Sequence, residues 1–187
     1  MRSSSRRAVL KAGLTLGLGL RVTSTLEAGQ EDRASARPKE GDRLVRLGDA
    51  SRTPLTPNDV PLGGRQTMAW ALDPSDNTVR SGSRLNQLLL LRLDPEKLAA
   101  ETRSRAADGV VAYTAICTHN GCDIDDWLAA AQHVSCSCHS STFDPKDAGT
   151  VVDGPAPRML PALPLKIVDG KLVVARPFTA RVGFDPG

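Results

Sequence analysis

The chain has 187 residues, 40% hydrophobic and 24% charged, which is typical of one globular domain and unlike collagen, coiled coils or wholly disordered chains. The formal net charge is only +3, and four of the positive charges lie within the first eleven residues. The six aromatic residues are scattered and too few for the stacking platforms that bind single-stranded nucleic acid, so no nucleic-acid partner is predicted.

Residues 1–29 have the pattern of an export signal. Arg6 and Arg7 precede an apolar, glycine-rich run at residues 12–20, which is shorter than the roughly 20 residues that a membrane-spanning helix needs. Residues 5–11, Ser-Arg-Arg-Ala-Val-Leu-Lys, resemble the twin-arginine signature, which implies export of a folded, cofactor-loaded protein. We expect a location in the periplasm or at the periplasmic face of the inner membrane. Cleavage of the signal and its retention as a weak membrane anchor both stay open.

Residues 30–43 are charged and contain Pro38 and Gly41, which predicts a solvated linker. A folded domain is predicted over residues 44–187, because short apolar or alternating runs recur there between turn residues and indicate a mainly β, antiparallel fold. These runs lie at residues 44–47, 67–72, 88–93, 110–116, 150–152, 163–168 and 172–175. Asp169-Gly170 predicts a tight hairpin between the last two runs. Asp94 followed by Pro95 predicts a capped helix over residues 95–102.

All four cysteines and all three histidines lie between Cys117 and His139. Most of them fall in two short boxes, which read Cys-Thr-His-Asn-Gly-Cys at residues 117–122 and Cys-Ser-Cys-His-Ser-Ser at residues 136–141. His133 stands between the boxes without a cysteine at ligand spacing. We therefore interpret His133 as a structural or surface residue.

Three assignments compete for the two boxes. A structural zinc site takes four tetrahedral ligands and leaves two thiols idle. Two structural disulfides use every cysteine and give the histidines no role. A Rieske centre uses two cysteines on one iron of a 2Fe-2S cluster and two histidines on the other.

The boxes resemble the motifs of the Rieske iron-sulfur family, C-T-H-x-G-C and C-x-C-H-x-S, with sixteen residues between His119 and Cys136. The resemblance covers residues 110–157. It implies a Rieske-type antiparallel β-sandwich with a small cluster-binding subdomain of two loops within residues 115–158.

The resemblance also implies a role for each box residue. Two cysteines bind the inner iron of the cluster, two histidines bind the outer iron, and the other two cysteines form a disulfide that joins the loops. The iron ligands are Cys117, Cys136, His119 and His139, and the disulfide pair is Cys122 and Cys138. Because disulfides persist in oxidising compartments, this pair agrees with the export signal and points to the exported, high-potential branch of the family.

Two further positions bear on the reduction potential. Neutral imidazoles in place of two thiolates make the cluster less negative and raise its potential, to roughly −150 to +300 mV in Rieske proteins. Ser141 occupies the position whose hydroxyl bonds a bridging sulfide in high-potential members, and Phe143 the position where those members have a tyrosine. Since this chain keeps one hydroxyl and lacks the other, we expect a potential below that of quinol-oxidising members with both hydroxyls and above that of the oxygenase type.

Two segments near the boxes have competing interpretations. Gly154-Pro155-Ala156-Pro157 resembles the proline loop that covers the cluster in the ubiquinol-cytochrome c reductase branch, where stiff prolines limit access of water. A simple turn is the alternative. Asp123, Asp125 and Asp126 follow the first box and are interpreted as a solvated loop in preference to a docking patch.

The predicted function is electron transfer by a subunit that is not catalytic alone. The electron donor is a quinol, as in ubiquinol-cytochrome c reductase, or a larger oxidoreductase subunit, as in arsenite oxidase, and the acceptor is a c-type cytochrome or similar protein. A structural zinc module without redox activity is the alternative. An oxygenase is disfavoured, because its mononuclear iron needs two histidines and a carboxylate, and only His133 is left over.

Overall fold

The computed structural model describes Gly29 and residues 31–184. The twin-arginine heptad and the apolar run of the predicted signal lie outside these residues. Among the described residues, no helix combines the length and the apolar character that crossing a membrane requires.

Eleven strands of the described chain form two sheets, and every pairing between strands is antiparallel. The strands of the larger sheet are β1 (Arg43–Arg46), β2 (Thr67–Asp73), β3 (Thr78–Val79), β4 (Leu88–Arg92), β5 (Val110–Thr114), β10 (Leu165–Val168) and β11 (Lys171–Val174). Those of the smaller sheet are β6 (Asp126–Leu128), β7 (His133–Cys136), β8 (Ser141–Asp144) and β9 (Thr150–Asp153). The mainly β, antiparallel fold predicted from the sequence is confirmed.

The larger sheet runs in the order β10-β11-β1-β2-β4-β5, with β3 beside β2, and closes on itself. Backbone bonds from Thr114 N–H to Pro161 O (3.0 Å) and from Leu163 N–H to Ala112 O (2.9 Å) join β5 to the chain that leads into β10. Asp169 and Gly170, both at positive φ, form the predicted hairpin turn between β10 and β11.

Strands β4 and β5 separate two hydrophobic cores. On β4, Leu88 and Leu90 point into one core while Leu89 and Leu91 point into the other, because successive side chains of a strand face opposite sides. Each of these leucines is fully buried, which stabilises the fold by about 1.5–3 kcal/mol per side chain. The core that contains Leu89 and Leu91, called the second core below, packs the smaller sheet against β4 and β5 and so fixes the position of that sheet.

The helix predicted over residues 95–102 is divided into two pieces. Asp94 accepts a hydrogen bond from Glu96 N–H at 3.1 Å and caps a 3-10 turn, Pro95–Lys97. A separate α-helix, Ala100–Arg103, follows. The predicted cap is therefore confirmed, but one continuous helix is not formed.

The expectation of a solvated linker over residues 30–43 needs correction. Most side chains of this segment are exposed, but Asp42 is fully buried and accepts a hydrogen bond from Arg80 Nη2 at 3.0 Å. The same Arg80 nitrogen pairs with Asp73 on β2 at 2.9 Å, and Asn86 Nδ2 donates to Ala36 O at 2.8 Å. Residues 33–42 are thus attached to the domain by buried polar groups that a charge count along the sequence does not distinguish from solvated ones.

Candidate metal centre

The first candidate loop, residues 117–122, connects β5 to β6. Cys117 N–H donates to Cys122 O at 2.8 Å and Gly121 N–H donates to Cys117 O at 3.1 Å, so the box folds back on itself. Gly121 has φ +74°, a conformation that glycine adopts without a Cβ penalty. Below the loop, Ile124 N–H donates to Ala115 O at 2.8 Å and keeps the two arms together.

The second loop, residues 137–140, is the tip of the hairpin between β7 and β8. Cys136 ends β7 and Ser141 begins β8, and the two residues pair in register. Ser140 N–H donates to Cys136 O at 2.9 Å, which closes the tip. Strand pairing therefore places Cys136 and Ser141 side by side below the exposed loop residues.

A disulfide joins the tips of the two loops. It links Cys122 to Cys138, whose Cα atoms are 6.5 Å apart, as the family resemblance implies. Cys117 and Cys136 remain free and buried. The alternative of two structural disulfides is therefore wrong.

The two free thiols lie next to each other in the second hydrophobic core. Burial, and then the neighbouring Cys117 thiol, raise the pKa of Cys136, while backbone N–H groups of Cys138 and His139 oppose this shift. The sulfurs of Cys136, Cys122 and Cys138 lie within 4.8 Å of one another. Because the disulfide occupies two of these three sulfurs, Cys136 is the member of this group that can bind a metal as a thiolate.

The imidazoles of His119 and His139 meet edge to face, with ring centroids 4.8 Å apart. His139 is exposed and His119 is half-buried. The disulfide, the two neighbouring free thiols and the imidazole pair thus each link one box to the other. His133 is at the start of β7, with Nε2 3.6 Å from an Asp144 carboxylate oxygen, and takes no part in this arrangement.

Two buried polar atoms at the centre have no hydrogen-bond partner among the described residues: Nδ1 of His119 and Oγ of Ser141. A buried polar atom without a partner costs about 1–3 kcal/mol, so such atoms call for an explanation. An imidazole nitrogen that binds iron and a hydroxyl that donates to a cluster sulfur would each gain a partner. Two buried thiols, two imidazoles and a free hydroxyl fit a 2Fe-2S cluster with mixed ligands.

The segment over residues 154–158 contacts both loops. A Cβ on Gly154 would lie 2.8 Å from Ser140 O and 2.6 Å from Ser141 Cα, so this glycine packs directly on the end of the second loop and the start of β8. Thr118 Oγ donates to Arg158 O at 2.6 Å and attaches the segment to the first loop. Ala156, between the two prolines, is buried in the core that holds the free thiols. These contacts favour the interpretation of this segment as a covering loop rather than as a simple turn.

One polar contact between the loops was not anticipated from the sequence. The Asp125 carboxylate accepts hydrogen bonds from Ser137 N–H (3.2 Å) and Ser137 Oγ (2.8 Å), which links the chain after the first loop to the second loop. These bonds lower the pKa of Asp125. Asp123 pairs with Arg84 at 2.6 Å. The three aspartates are exposed, as the solvated-loop interpretation predicts, but two of them also fix the loops.

Comparison with known proteins finds one family among the sequence matches. The family model of the Rieske [2Fe-2S] domain matches residues 78–164. The cytochrome bc1 complex Rieske iron-sulfur subunit of Streptomyces lividans is 33% identical over 147 residues, 77% of this chain and 85% of that protein. The subunit of the same name from Streptomyces coelicolor is also 33% identical over 147 residues, but these are only 41% of its length.

Among solved structures, the plasma membrane Rieske protein PetC3 of Synechocystis PCC 6803 is similar, with 22% identity and a TM-score of 0.37. The match covers 58% of this chain and 84% of that one.

Proposed function

The chain belongs to the Rieske iron-sulfur family and is an electron-transfer protein with a 2Fe-2S cluster, and we propose that its two free cysteines and its two paired histidines hold that cluster. Cys117 and Cys136 bind the inner iron as thiolates. His119 and His139 bind the outer iron, with Nδ1 of His119 as a ligand atom. The observation that carries this proposal is the buried Nδ1 of His119, which has no partner among the described residues and lies in an imidazole pair at the tip of the loops.

The cluster supplies a one-electron redox couple, and the residues around it determine its surroundings. The buried thiols exclude water from the inner side, where Phe143 and Ala156 pack in the same core. The exposed His139 forms part of the outer surface. Electrons therefore enter and leave on the histidine side, because the cysteine side is covered by protein.

We assign the electron donor and acceptor from the relatives. The similar proteins from Streptomyces are named as subunits of a cytochrome bc1 complex, so we propose a quinol as donor and a c-type cytochrome as acceptor. A donor in a larger oxidoreductase subunit is the alternative. We further propose that the protein works at the periplasmic face of the inner membrane after twin-arginine export.

Anaerobic stopped-flow spectroscopy tests the donor and the acceptor. The oxidised, cluster-loaded protein is first mixed with duroquinol. Once it has been reduced, it is mixed with ferricytochrome c in a second step. We expect bleaching of the cluster absorption in the first step and its recovery in the second. A Cys136→Ser variant, which lacks one proposed ligand, serves as control and should show neither change. A protein that dithionite reduces but duroquinol does not would favour the larger oxidoreductase subunit as donor.

A further inference from the structure

Residues 179–184, which follow β11, return to the first candidate loop. Thr179 N–H donates to Ala162 O at 2.9 Å, and Ala162 N–H donates to Thr179 Oγ at 3.0 Å. Val182 and Gly183 are buried. We call residues 179–184 the brace segment, because these contacts make it part of the folded domain.

Arg158 connects the brace segment to the first loop, because its side chain binds the former and its backbone carbonyl binds the latter. Its guanidinium donates from Nη1 to Arg181 O at 2.8 Å and from Nη2 to Gly183 O. Its own carbonyl accepts the hydrogen bond from Thr118 Oγ at 2.6 Å. Thr118 is fully buried and stands between two proposed iron ligands in the sequence. The hydrogen bonds therefore run without a break from the brace segment to the loop that carries those ligands.

The brace segment also packs directly against the chain around the first loop. Gly183 has φ +83°, and a Cβ there would be 3.1 Å from Leu85 Cδ2 and 3.6 Å from Cγ2 of Ile116, which precedes the loop. At the far end of the loop, a Cβ on Gly121 would be 3.8 Å from Phe184 Cβ. Both ends of the loop are thus in contact with, or next to, the brace segment.

We propose that Arg158 is a positioning residue, which fixes the brace segment against the first loop and so holds the loop in the geometry that binds the cluster. The proposal rests on the assignment of His119 as an iron ligand. The hydrogen bonds of the described residues connect Thr118 to the brace segment through Arg158, and direct packing adds to this connection. The two boxes then hold the cluster firmly only when a segment about sixty residues beyond the first box is in place.

The test compares full-chain variants loaded with the cluster. Arg158→Ala removes both bonds to the brace segment, and Arg158→Lys keeps one donor nitrogen. We expect Arg158→Ala to lose its cluster about thirtyfold faster than the wild type, the factor that two hydrogen bonds of about 1 kcal/mol each represent, with a broadened EPR signal. Arg158→Lys should fall between the two. Arg176→Ala is the matched control, because this arginine is exposed shortly before the brace segment and has no hydrogen bond in the described chain.

A deletion of residues 179–187 shows whether Arg158 acts through the brace segment. If it does, Arg158→Ala combined with the deletion loses the cluster no faster than the deletion alone. Additive rates, or an Arg158→Ala protein with wild-type signal shape and cluster retention, would overturn the proposal. If Arg158→Ala does not fold, Thr118→Val tests the same connection from the loop side, and wild-type behaviour of that variant would also overturn it. Failure of the proposed function is distinct, since the wild type would then lack the mixed-ligand signal.

Discussion

At the scale of single residues, the centre depends on a few polar atoms in an otherwise apolar environment. Ser141 is fully buried, and its hydroxyl has no partner among the described residues. Phe143, two residues along β8, is also fully buried and packs in the core that contains both free thiols. The Ser141 hydroxyl can donate a hydrogen bond to a cluster sulfur, whereas the Phe143 ring has no hydrogen-bond donor.

Removal of the Ser141 hydroxyl should lower the midpoint potential. A hydrogen bond to sulfur stabilises the reduced, more negative cluster, so Ser141→Ala loses about 1 kcal/mol of that stabilisation. For a one-electron couple this corresponds to about 40 mV. Protein-film voltammetry of the loaded variant measures the shift. An unchanged potential with an intact cluster would show that the hydroxyl does not donate to it.

Addition of a hydroxyl at Phe143 should have the opposite effect. Phe143→Tyr places a donor in the core that contains the ligand sulfurs, and we expect the midpoint potential to rise by a similar amount, about 40 mV. Phe178→Tyr is the matched control, because that ring packs against the other hydrophobic core. An equal response in the two variants, or a fall in potential for Phe143→Tyr, would contradict the assignment.

At the scale of elements, the covering segment and the attached N-terminal segment each depend on identifiable contacts. The covering segment, residues 154–158, lies on the second loop at Gly154 and on the first at Arg158. The N-terminal segment, residues 33–42, is held by the buried pairs of Arg80.

Gly154→Ala should force the covering segment away from the second loop. The new Cβ would meet Ser141 Cα at 2.6 Å and Ser140 O at 2.8 Å, and Gly154 also has φ +82°. Gly170→Ala isolates the conformational cost, because Gly170 has φ +73° and no atom within 4 Å of a Cβ. We expect Gly154→Ala to lower the free energy of unfolding by about 1–3 kcal/mol more than Gly170→Ala does. Equal losses in chemical denaturation would contradict the close contact.

The attachment of the N-terminal segment should weaken in acid. Hydrogen bonds from Lys39, and then from Ser75, lower the pKa of Asp73 well below its usual value. A lowered pKa in the folded state contributes stability that is fully present above the unfolded pKa, about 3.9, and is lost progressively as the pH falls from there through the lowered folded pKa. Asp73→Asn should therefore cost about 1–3 kcal/mol at pH 7, and this cost should be smaller at pH 3 and continue to fall at lower pH. A difference from the wild type that stays constant between these pH values would contradict this assignment.

At the scale of the whole molecule, the sequence predicts the larger sheet better than the smaller one. All seven runs that the sequence predicted are strands in the structure, and each contains at least two apolar residues. The four other strands were missed, among them β6, β7 and β8, which read Asp-Trp-Leu, His-Val-Ser-Cys and Ser-Thr-Phe-Asp and have no apolar run. Val134 on β7 and Phe143 on β8 are buried in the core that also contains residues of β4 and β5, and a local pattern does not contain such contacts.

The residues of the proposed centre come directly from the sequence, since its chemistry is concentrated in two boxes. The hydrogen bonds that support the loops were not predicted from the sequence. The bonds of Asp125 to Ser137, of Arg80 to Asp42 and of Arg158 to the brace segment join residues 12 to 38 positions apart. A charged side chain in such a bond has the same sequence signature as one in solvent, and tertiary structure decides between them.

We propose that two thiolates and two imidazoles hold one 2Fe-2S cluster in this chain. Low-temperature EPR of the dithionite-reduced protein, with metal analysis of the same sample, is the first experiment to perform. We expect two irons per chain and a rhombic signal whose average g value is below that of a cluster with four cysteine ligands. A silent spectrum together with one zinc per chain would show that the cluster is absent.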